Sequence, residues 1–128
     1  MPNEPDRTLS VLAADDDQDI LALVEFVLKR EGHRVTAAGD GETALRHALA
    51  QDFDVVVLDV RMPNLTGYEV TERLRASGRP RVPILLVSAS VQDAEVTRGF
   101  EAGADDYIRK PFTPKELVAR VNTLAAVS

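Results

Sequence analysis

The sequence that decides the fold is Asp54-Val-Val-Val-Leu-Asp59, which the loop Val60-Arg-Met-Pro-Asn-Leu-Thr-Gly67 follows. Four consecutive apolar residues indicate a strand that is covered on both faces, as the strands of parallel sheets are. Asp59 ends this strand, at the point where the chain leaves the core and turns. Ligands and reacting groups of open parallel α/β sheets collect at the carboxyl ends of the strands. The stretch therefore predicts that Asp59 is the reacting residue.

Strands and helices are predicted to alternate on both sides of this stretch. Apolar runs predict strands at residues 9–14, 33–37, 53–58, 82–87 and 105–109, and helical spacing predicts helices that end near residues 30, 50, 76, 102 and 124. Asp17 or Asp19 is expected to cap the first helix, and Val96 and Phe100 are expected to face the core from the fourth. The alternation predicts an α/β fold, with a doubly wound five-stranded parallel sheet and helices on both faces.

The bulk composition limits the classes of protein that this chain can represent. Its 128 residues suit one domain, here predicted as a flexible leader at 1–8, a domain at 9–125 and a short end at 126–128 with no output domain. With no cysteine, the chain has neither disulfides nor thiolate metal ligands. A net charge of −6 argues against direct binding of nucleic acid. Without a signal peptide or a membrane-length apolar run, a soluble cytoplasmic domain is expected.

Polar side chains follow four of the predicted strands. Asp15 and Asp16 come after the first, Asp59 after the third, Ser88 after the fourth and Lys110 after the fifth. Because the carboxyl ends of parallel strands meet at one edge, these groups should converge in one crevice. Clustered carboxylates repel one another and require a cation, and a set of oxygen ligands without His or Cys indicates Mg²⁺ or a similar hard ion such as Mn²⁺.

This set of groups is what phosphoryl transfer needs. Asp59 would be the nucleophile and would form an acyl phosphate, while the metal and Lys110 neutralise the transferring oxygens and Ser88 donates a hydrogen bond to one of them. Each residue taken alone has a plainer interpretation: Asp16 as a helix cap, Asp59 as a loop cap, Lys110 as a solvated surface lysine. Their recurrence at successive strand ends favours the site.

These residues resemble the receiver domain of bacterial two-component response regulators. The resemblance runs from about Leu9 to Leu124 and implies a flavodoxin-like sheet with the strand order 2-1-3-4-5. It rests on four motifs, Val11-Leu-Ala-Ala-Asp-Asp-Asp17, Val57-Leu-Asp-Val-Arg-Met-Pro63 with Gly67, Ser88-Ala89, and Gly103-Ala-Asp-Asp-Tyr-Ile-Arg-Lys-Pro-Phe112.

The resemblance implies a role for each residue of the predicted site. Asp59 would accept a phosphoryl group from a histidine kinase or a phosphotransfer protein, and Lys110 would pair with that group. Asp16 and Asp59 would ligate Mg²⁺ (or Mn²⁺) directly, Asp15 would act mainly through water, and the backbone carbonyl of Arg61 would complete the protein ligands. The domain would catalyse only its own phosphorylation and dephosphorylation, so it would not be an enzyme with outside substrates.

The resemblance also implies how the signal leaves the site. Ser88 and Tyr107 would form a switch pair that alters the face built from the fourth helix, the fifth strand and the fifth helix. Tyr107 alone also has a plainer interpretation as a half-buried strand aromatic. Lys110-Pro111 would be a cis peptide. Arg61 and Ser90 occupy positions linked to the lifetime of the phosphoryl group.

The output that this domain would control is predicted only in outline. The chain is interpreted as a stand-alone receiver or as a piece of a longer regulator, with an output domain or a target protein as its partner. Its dimer-face positions partly resemble the winged-helix class through Glu101, Asp105 and Arg120, whereas Val96 and Val127 replace basic residues. A homodimer that forms on phosphorylation is therefore a further hypothesis.

Three alternatives remain beside the receiver interpretation. A haloacid-dehalogenase-type phosphatase also uses an aspartyl phosphate, but it needs an acid two residues after the nucleophile, where this chain has Arg61. A flavodoxin-like FMN module would need a phosphate-binding loop in place of the acids at 15–17. The third is a receiver that serves only for protein docking, without phosphorylation.

Overall fold

The computed structural model describes residues 7–90 and 92–126, within which five strands and five helices alternate. The strands are β1 (Ser10–Ala14), β2 (Arg34–Ala38), β3 (Val55–Asp59), β4 (Ile84–Ser88) and β5 (Asp106–Arg109). The helices are α1 (Gln18–Arg30), α2 (Gly41–Ala50), α3 (Gly67–Ala76), α4 (Asp93–Ala102) and α5 (Pro114–Ala126). Residues 1–6 of the predicted leader, Val91 and Val127 lie outside the described residues.

The five strands form one parallel sheet with the order β2-β1-β3-β4-β5, which confirms the predicted order. The central strand is β3, whose residue Val56 pairs with Leu12 of β1 on one side and with Ile84 of β4 on the other. All five residues of β3 are buried. The apolar run that ends at Asp59 is therefore the central, fully buried strand of the sheet, as its composition predicts.

Alternate side chains of β3 enter two separate cores, one on each face of the sheet. Val55 and Val57 pack with residues of α1 and α5, including Leu28 and Leu117. The neighbouring side chains of β3 pack on the opposite face with residues of α2, α3 and α4. A strand buried on both faces cannot show polar alternation, which is why the run reads as continuously apolar.

Short polar side chains cap α1, α2, α3 and α5 at the edge of the sheet where the strands end. Asp17 caps α1 by accepting hydrogen bonds from the backbone amides of Asp19 and Ile20 at 2.9 and 3.2 Å, so Asp17 is the cap and Asp19 is not. Thr66 and Glu69 form a reciprocal capping box at the start of α3. These caps hold the helix starts close to the strand ends that carry the predicted site.

Several sequence-based expectations differ from the structure. The third and fourth strands each begin two residues later and end one residue later than predicted, and the first and fifth strands begin one residue later. The second strand begins and ends one residue later than predicted, at Arg34–Ala38. Phe100 does not face the core, because its exposed fraction is 46%, whereas Gly99 is buried in its place. A Cβ at Gly99 would lie 3.0 Å from the Leu86 side chain and 3.1 Å from the Tyr107 ring, so α4 packs through its smallest residue.

None of the helices in the described part of the chain has the length and apolar content that crossing a bilayer requires.

Candidate functional site

Three carboxylates meet at the carboxyl edge of the sheet. Asp15 follows β1, Asp59 ends β3, and both are 5% exposed, while Asp16 is open to solvent. One oxygen from each of the three lies within 4.8 Å of the others. The backbone amide of Asp17 donates to Asp15 Oδ1 at 2.9 Å, which fixes the orientation of that carboxylate. The structure therefore brings together the acids whose convergence the strand order predicts.

Lys110 supplies the positive charge beside these acids. Its Nζ lies 3.0 Å from Asp15 Oδ2 and 3.2 Å from Asp59 Oδ1. The Lys110 amide donates to the Ser88 carbonyl at 2.7 Å, and the Lys110-Pro111 peptide is cis, as predicted. Burial alone would lower the pKa of Lys110, but its hydrogen bonds and charge interactions with Asp15 and Asp59 outweigh burial and raise the pKa. Lys110 is thus a charged member of the site and not a solvated surface lysine.

The electrostatics of Asp59 show that the site lacks positive charge. Burial, followed by the negative charge of Asp15, raises the pKa of Asp59 to about 6, even though Lys110 acts in the opposite direction. One ammonium group does not balance three carboxylates. A small cation among these oxygen atoms would relieve the imbalance, and carboxylate oxygens are the ligands that Mg²⁺ prefers. The residues present therefore fit the predicted metal.

Gly67 allows the acceptor residue and the start of α3 to lie close together. A Cβ at Gly67 would lie 2.5 Å from the Asp59 carbonyl oxygen and 3.1 Å from the Cα of Val60. The Gly67 amide donates to the Val60 carbonyl at 2.9 Å, which closes the intervening segment into a loop. We call residues 60–66 the acceptor loop.

Ser88, Ser90 and Arg61 are further residues that the sequence predicts for the site. Ser88, at the end of β4, is 2% exposed, and its Oγ accepts a hydrogen bond from the Ser90 amide at 3.1 Å. Ser90 is partly buried, and Arg61 is exposed at the start of the acceptor loop. Ser88 thus stands at the end of the fourth strand, as the sequence predicts, while the roles of Ser88, Ser90 and Arg61 stay predictions.

Tyr107 lies on β5, beside Leu86 of β4 in the sheet register. Among the described residues, its hydroxyl is a buried side-chain atom without a hydrogen-bond partner. The ring packs against Gly99 of α4, whose missing side chain leaves room for it. The aromatic side chain is therefore turned inward, and its hydroxyl neighbours the Tyr68 hydroxyl without forming a well-aligned hydrogen bond to it.

Sequence reasoning missed Tyr68, which adjoins Tyr107. The Tyr68 hydroxyl donates to the Glu95 carbonyl of α4 at 3.1 Å, and the Arg98 guanidinium lies 4.7 Å from the centre of the Tyr68 ring. Burial, followed by the hydrogen-bonding interaction between its hydroxyl and that of the neighbouring Tyr107, raises the pKa of Tyr68. The only sequence signal was an aromatic residue at the first turn of α3, which reads equally as ordinary core.

Comparisons with known proteins agree with this geometry. Residues 11–122 match the family model described as the response regulator receiver domain. The chain is 41% identical over 114 residues to the alkaline phosphatase synthesis transcriptional regulatory protein PhoP of Bacillus subtilis, covering 89% of this chain and 47% of PhoP. It spans about half the length of the curated relatives it matches.

Solved structures give the same result. The receiver domain of Francisella response regulator 1452 superposes with a TM-score of 0.87 at 35% identity, covering 92% of this chain and 97% of that one. The receiver domain of the sensor histidine kinase PA1611 of Pseudomonas aeruginosa, described with a magnesium ion in its active-site cleft, superposes with a TM-score of 0.84 at 33% identity, covering 93% and 98%. These matches give the phosphatase and FMN alternatives no support.

The raised pKa of Asp59 predicts that this residue destabilises the metal-free fold. The folded-state pKa of about 6 lies above the ordinary 3.8, so the cost of ionised Asp59 is fully present above pH 6 and disappears as the pH falls towards 4. Asp59→Asn should therefore stabilise the chelator-treated protein at pH 7.5 by about 1–3 kcal/mol, and by less at pH 5. Urea unfolding at the two pH values measures this difference.

Asp54→Asn is the matched control, because Asp54 lies just before the opposite end of the same strand. Its carboxylate accepts a hydrogen bond from the Ser10 amide at 2.8 Å and pairs with Arg7 at 3.4 Å, so removing its charge should bring no stabilisation. Equal changes in the free energy of unfolding for the two substitutions would contradict an electrostatic destabilisation that is specific to Asp59.

Proposed function

This chain belongs to the receiver-domain family of two-component response regulators, and we propose that its Asp59 accepts a phosphoryl group from a histidine kinase or a phosphotransfer protein. The observation that carries the proposal is the position of Lys110 Nζ, 3.2 Å from Asp59 and 3.0 Å from Asp15. A buried carboxylate beside a fixed ammonium group and two further acids has the parts of a phosphoryl-acceptor site.

The oxygen atoms of this site would hold Mg²⁺ or Mn²⁺. Asp16 and Asp59 would ligate the ion directly, Asp15 would act through water, and the Arg61 backbone carbonyl would complete the protein ligands. The grouping of three carboxylate oxygens within 4.8 Å supports this assignment, as does the magnesium described in the receiver domain of PA1611. When bound, the ion neutralises negative charge on the transferring oxygens.

The proposed reaction moves one phosphoryl group. An unprotonated carboxylate oxygen of Asp59 attacks phosphorus, and a C–O–P linkage forms as the P–N bond to the donor imidazole breaks. The imidazole nitrogen keeps the bonding electron pair and takes up a proton. Lys110 stays protonated, since its pKa is raised, and pairs with the phosphoryl oxygens. Attack by water on the same phosphorus would later restore Asp59, so the domain turns over only its own acyl phosphate.

Ser88 and Tyr107 would connect the phosphoryl group to the surface. The Ser88 hydroxyl would move to donate a hydrogen bond to the phosphoryl group. Tyr107, whose unpartnered hydroxyl already lies inside the protein, would then hold the inward position and alter the face of α4, β5 and α5. An output domain or a target protein would read that face.

We assign the domain to the cytoplasm and to regulation of a downstream partner. PhoP and the TcrX protein of Mycobacterium tuberculosis are named as transcriptional regulators, and this chain matches about half of each. Control of transcription through an attached or separate output unit is therefore the favoured activity of the whole protein. The net charge of −6 argues against direct contact between this domain and nucleic acid.

Acetyl phosphate provides a direct test of the acceptor residue. Incubation with acetyl phosphate and Mg²⁺ should add one phosphoryl group to the wild type, and intact mass spectrometry measures the adduct. Asp59→Asn should remain unmodified because the amide is not a nucleophile. A wild type without an adduct, or an equal adduct on the variant, would refute the proposal.

Arg61 and Ser90 are predicted to set the lifetime of the acyl phosphate. Arg61 would reach across the mouth of the site, and the small Ser90 would leave a path for the attacking water. Arg61→Ala and Ser90→Ala should each change the rate of dephosphorylation several-fold, on the order of 1 kcal/mol in activation free energy. Loss of inorganic phosphate from the purified acyl phosphate measures the rate, and unchanged rates in both variants would eliminate the idea.

A homodimer that depends on phosphorylation remains a separate prediction. Two of the expected dimer-face residues are already paired within the chain, Asp105 with Arg75 at 2.9 Å and Arg120 with Asp106 at 2.7 Å. Dimerisation would therefore have to exchange these pairs as the switch face rearranges. The solution mass should double when Mg²⁺ and beryllofluoride are added to the wild type and should stay constant for Asp59→Asn. An activated monomer would contradict the dimer.

A further inference from the structure

Gly41, the first residue of α2, lies against the acceptor loop. A Cβ at this position would overlap the Leu65 carbonyl oxygen and would lie 2.8 Å from both the carbonyl carbon and the Cβ of Leu65. Two of these three atoms belong to the backbone, so a change of side-chain rotamer cannot relieve the overlap. Gly41 is not among the glycines with positive φ, which leaves the close approach as the reason for glycine here. Any other residue must displace either α2 or the loop.

The start of α2 is held firmly on its own side of the contact. Asp40 caps the helix by accepting a hydrogen bond from the Thr43 amide at 2.7 Å. Two residues earlier, Ala38 ends β2, and its carbonyl accepts a hydrogen bond from the Asp15 amide at 3.1 Å. Moving Gly41 away from the loop would therefore disturb the strand end that carries Asp15. The loop is the part that can yield.

Backbone hydrogen bonds hold the acceptor loop across its base and in its second half. The hydrogen bond from the Gly67 amide to the Val60 carbonyl joins its two sides, and the Leu65 amide donates to the Pro63 carbonyl at 2.9 Å. Asn64 adopts a left-handed conformation with φ of 72°, which adds a second tight constraint. A displacement at Leu65 therefore cannot pass freely into α3. It has to be absorbed by the backbone between Val60 and Leu65, which includes the carbonyl of Arg61.

We propose that Gly41 is a positioning residue that sets the acceptor loop for binding magnesium. The inference rests on the proposed function, in which the Arg61 carbonyl is a metal ligand. A methyl group at position 41 displaces the Leu65 carbonyl, and the closed loop transmits the displacement to Arg61. The three carboxylates lie outside the loop and keep their places, so metal binding weakens through the loss of one backbone ligand.

Calorimetric titration with MgCl₂ of the wild type, Gly41→Ala and Gly39→Ala tests this role. Gly39 is the matched control because a Cβ there meets no atom within 4 Å and its φ is not positive. Disturbing groups that orient metal ligands costs about 10–100-fold in affinity, so Gly41→Ala should raise the magnesium Kd by about tenfold or more. Gly39→Ala should stay within about twofold, as exposed substitutions do. Equal Kd values for the two variants would overturn the inference.

A second measurement separates displacement of the loop from general destabilisation. Thermal unfolding of the metal-free proteins provides the structural readout. A lowered Tm with unchanged Kd for Gly41→Ala would assign the contact to folding alone and overturn the proposal.

A measurement on the wild type decides the question if Gly41→Ala does not fold. In a magnesium titration followed by amide NMR, the Gly41 resonance should shift with the same Kd as that of Leu65, while those of Gly32 and Gly78 stay in place. An unmoved Gly41 resonance beside a shifting Leu65 would overturn the inference. A wild type that binds no magnesium at all would instead refute the proposed function.

Discussion

The site depends on one ammonium group that holds two buried carboxylates. Lys110 lies within 3.2 Å of both Asp15 and Asp59, and without it two acids at the ends of neighbouring strands would face each other with little solvent between them. Removing the ammonium group would be strongly destabilising, because it would leave two buried carboxylates without a compensating charge. The β5–α5 connection is therefore tied to the ends of β1 and β3 by charge as well as by the sheet.

Even so, the ion pairing is incomplete, and that incompleteness is the basis of the proposed chemistry. Burial and Asp15 outweigh Lys110 at Asp59, so the net effect on its carboxyl is a raised pKa. A site that neutralised Asp59 fully would gain stability but would have little affinity for a further cation or for a phosphoryl group. Electrostatic repulsion therefore destabilises the carboxyl edge locally, while the apolar residues of β3 stabilise the cores on both faces of the sheet.

The sequence predicted the fold class and the group of strand-end residues because both follow from periodicity and parallel topology. An apolar run buried on both faces identifies β3, and the shared carboxyl edge of a parallel sheet brings Asp15, Asp59 and Lys110 together. The strand order itself was implied by the resemblance to receiver domains. Tyr68 and Gly41 were not predicted, since their importance comes from the approach of one element to another. The inward expectation for Phe100 was wrong for the same reason: helical spacing cannot show that the Tyr107 ring fills the space beside Gly99.

The buried hydroxyl of Tyr107 bears on the energetics of signalling, because it neighbours the Tyr68 hydroxyl without a well-formed hydrogen bond to it. A buried polar group left wholly without a partner costs about 1–3 kcal/mol, which is the size of a typical coupling free energy between two sites, equivalent to about a 5–150-fold change in an equilibrium constant. A conformer in which this oxygen atom gains a full hydrogen bond would therefore be favoured by up to that amount. Related chains that supply or withhold an acceptor beside this atom would differ in basal output while sharing the same phosphorylation chemistry.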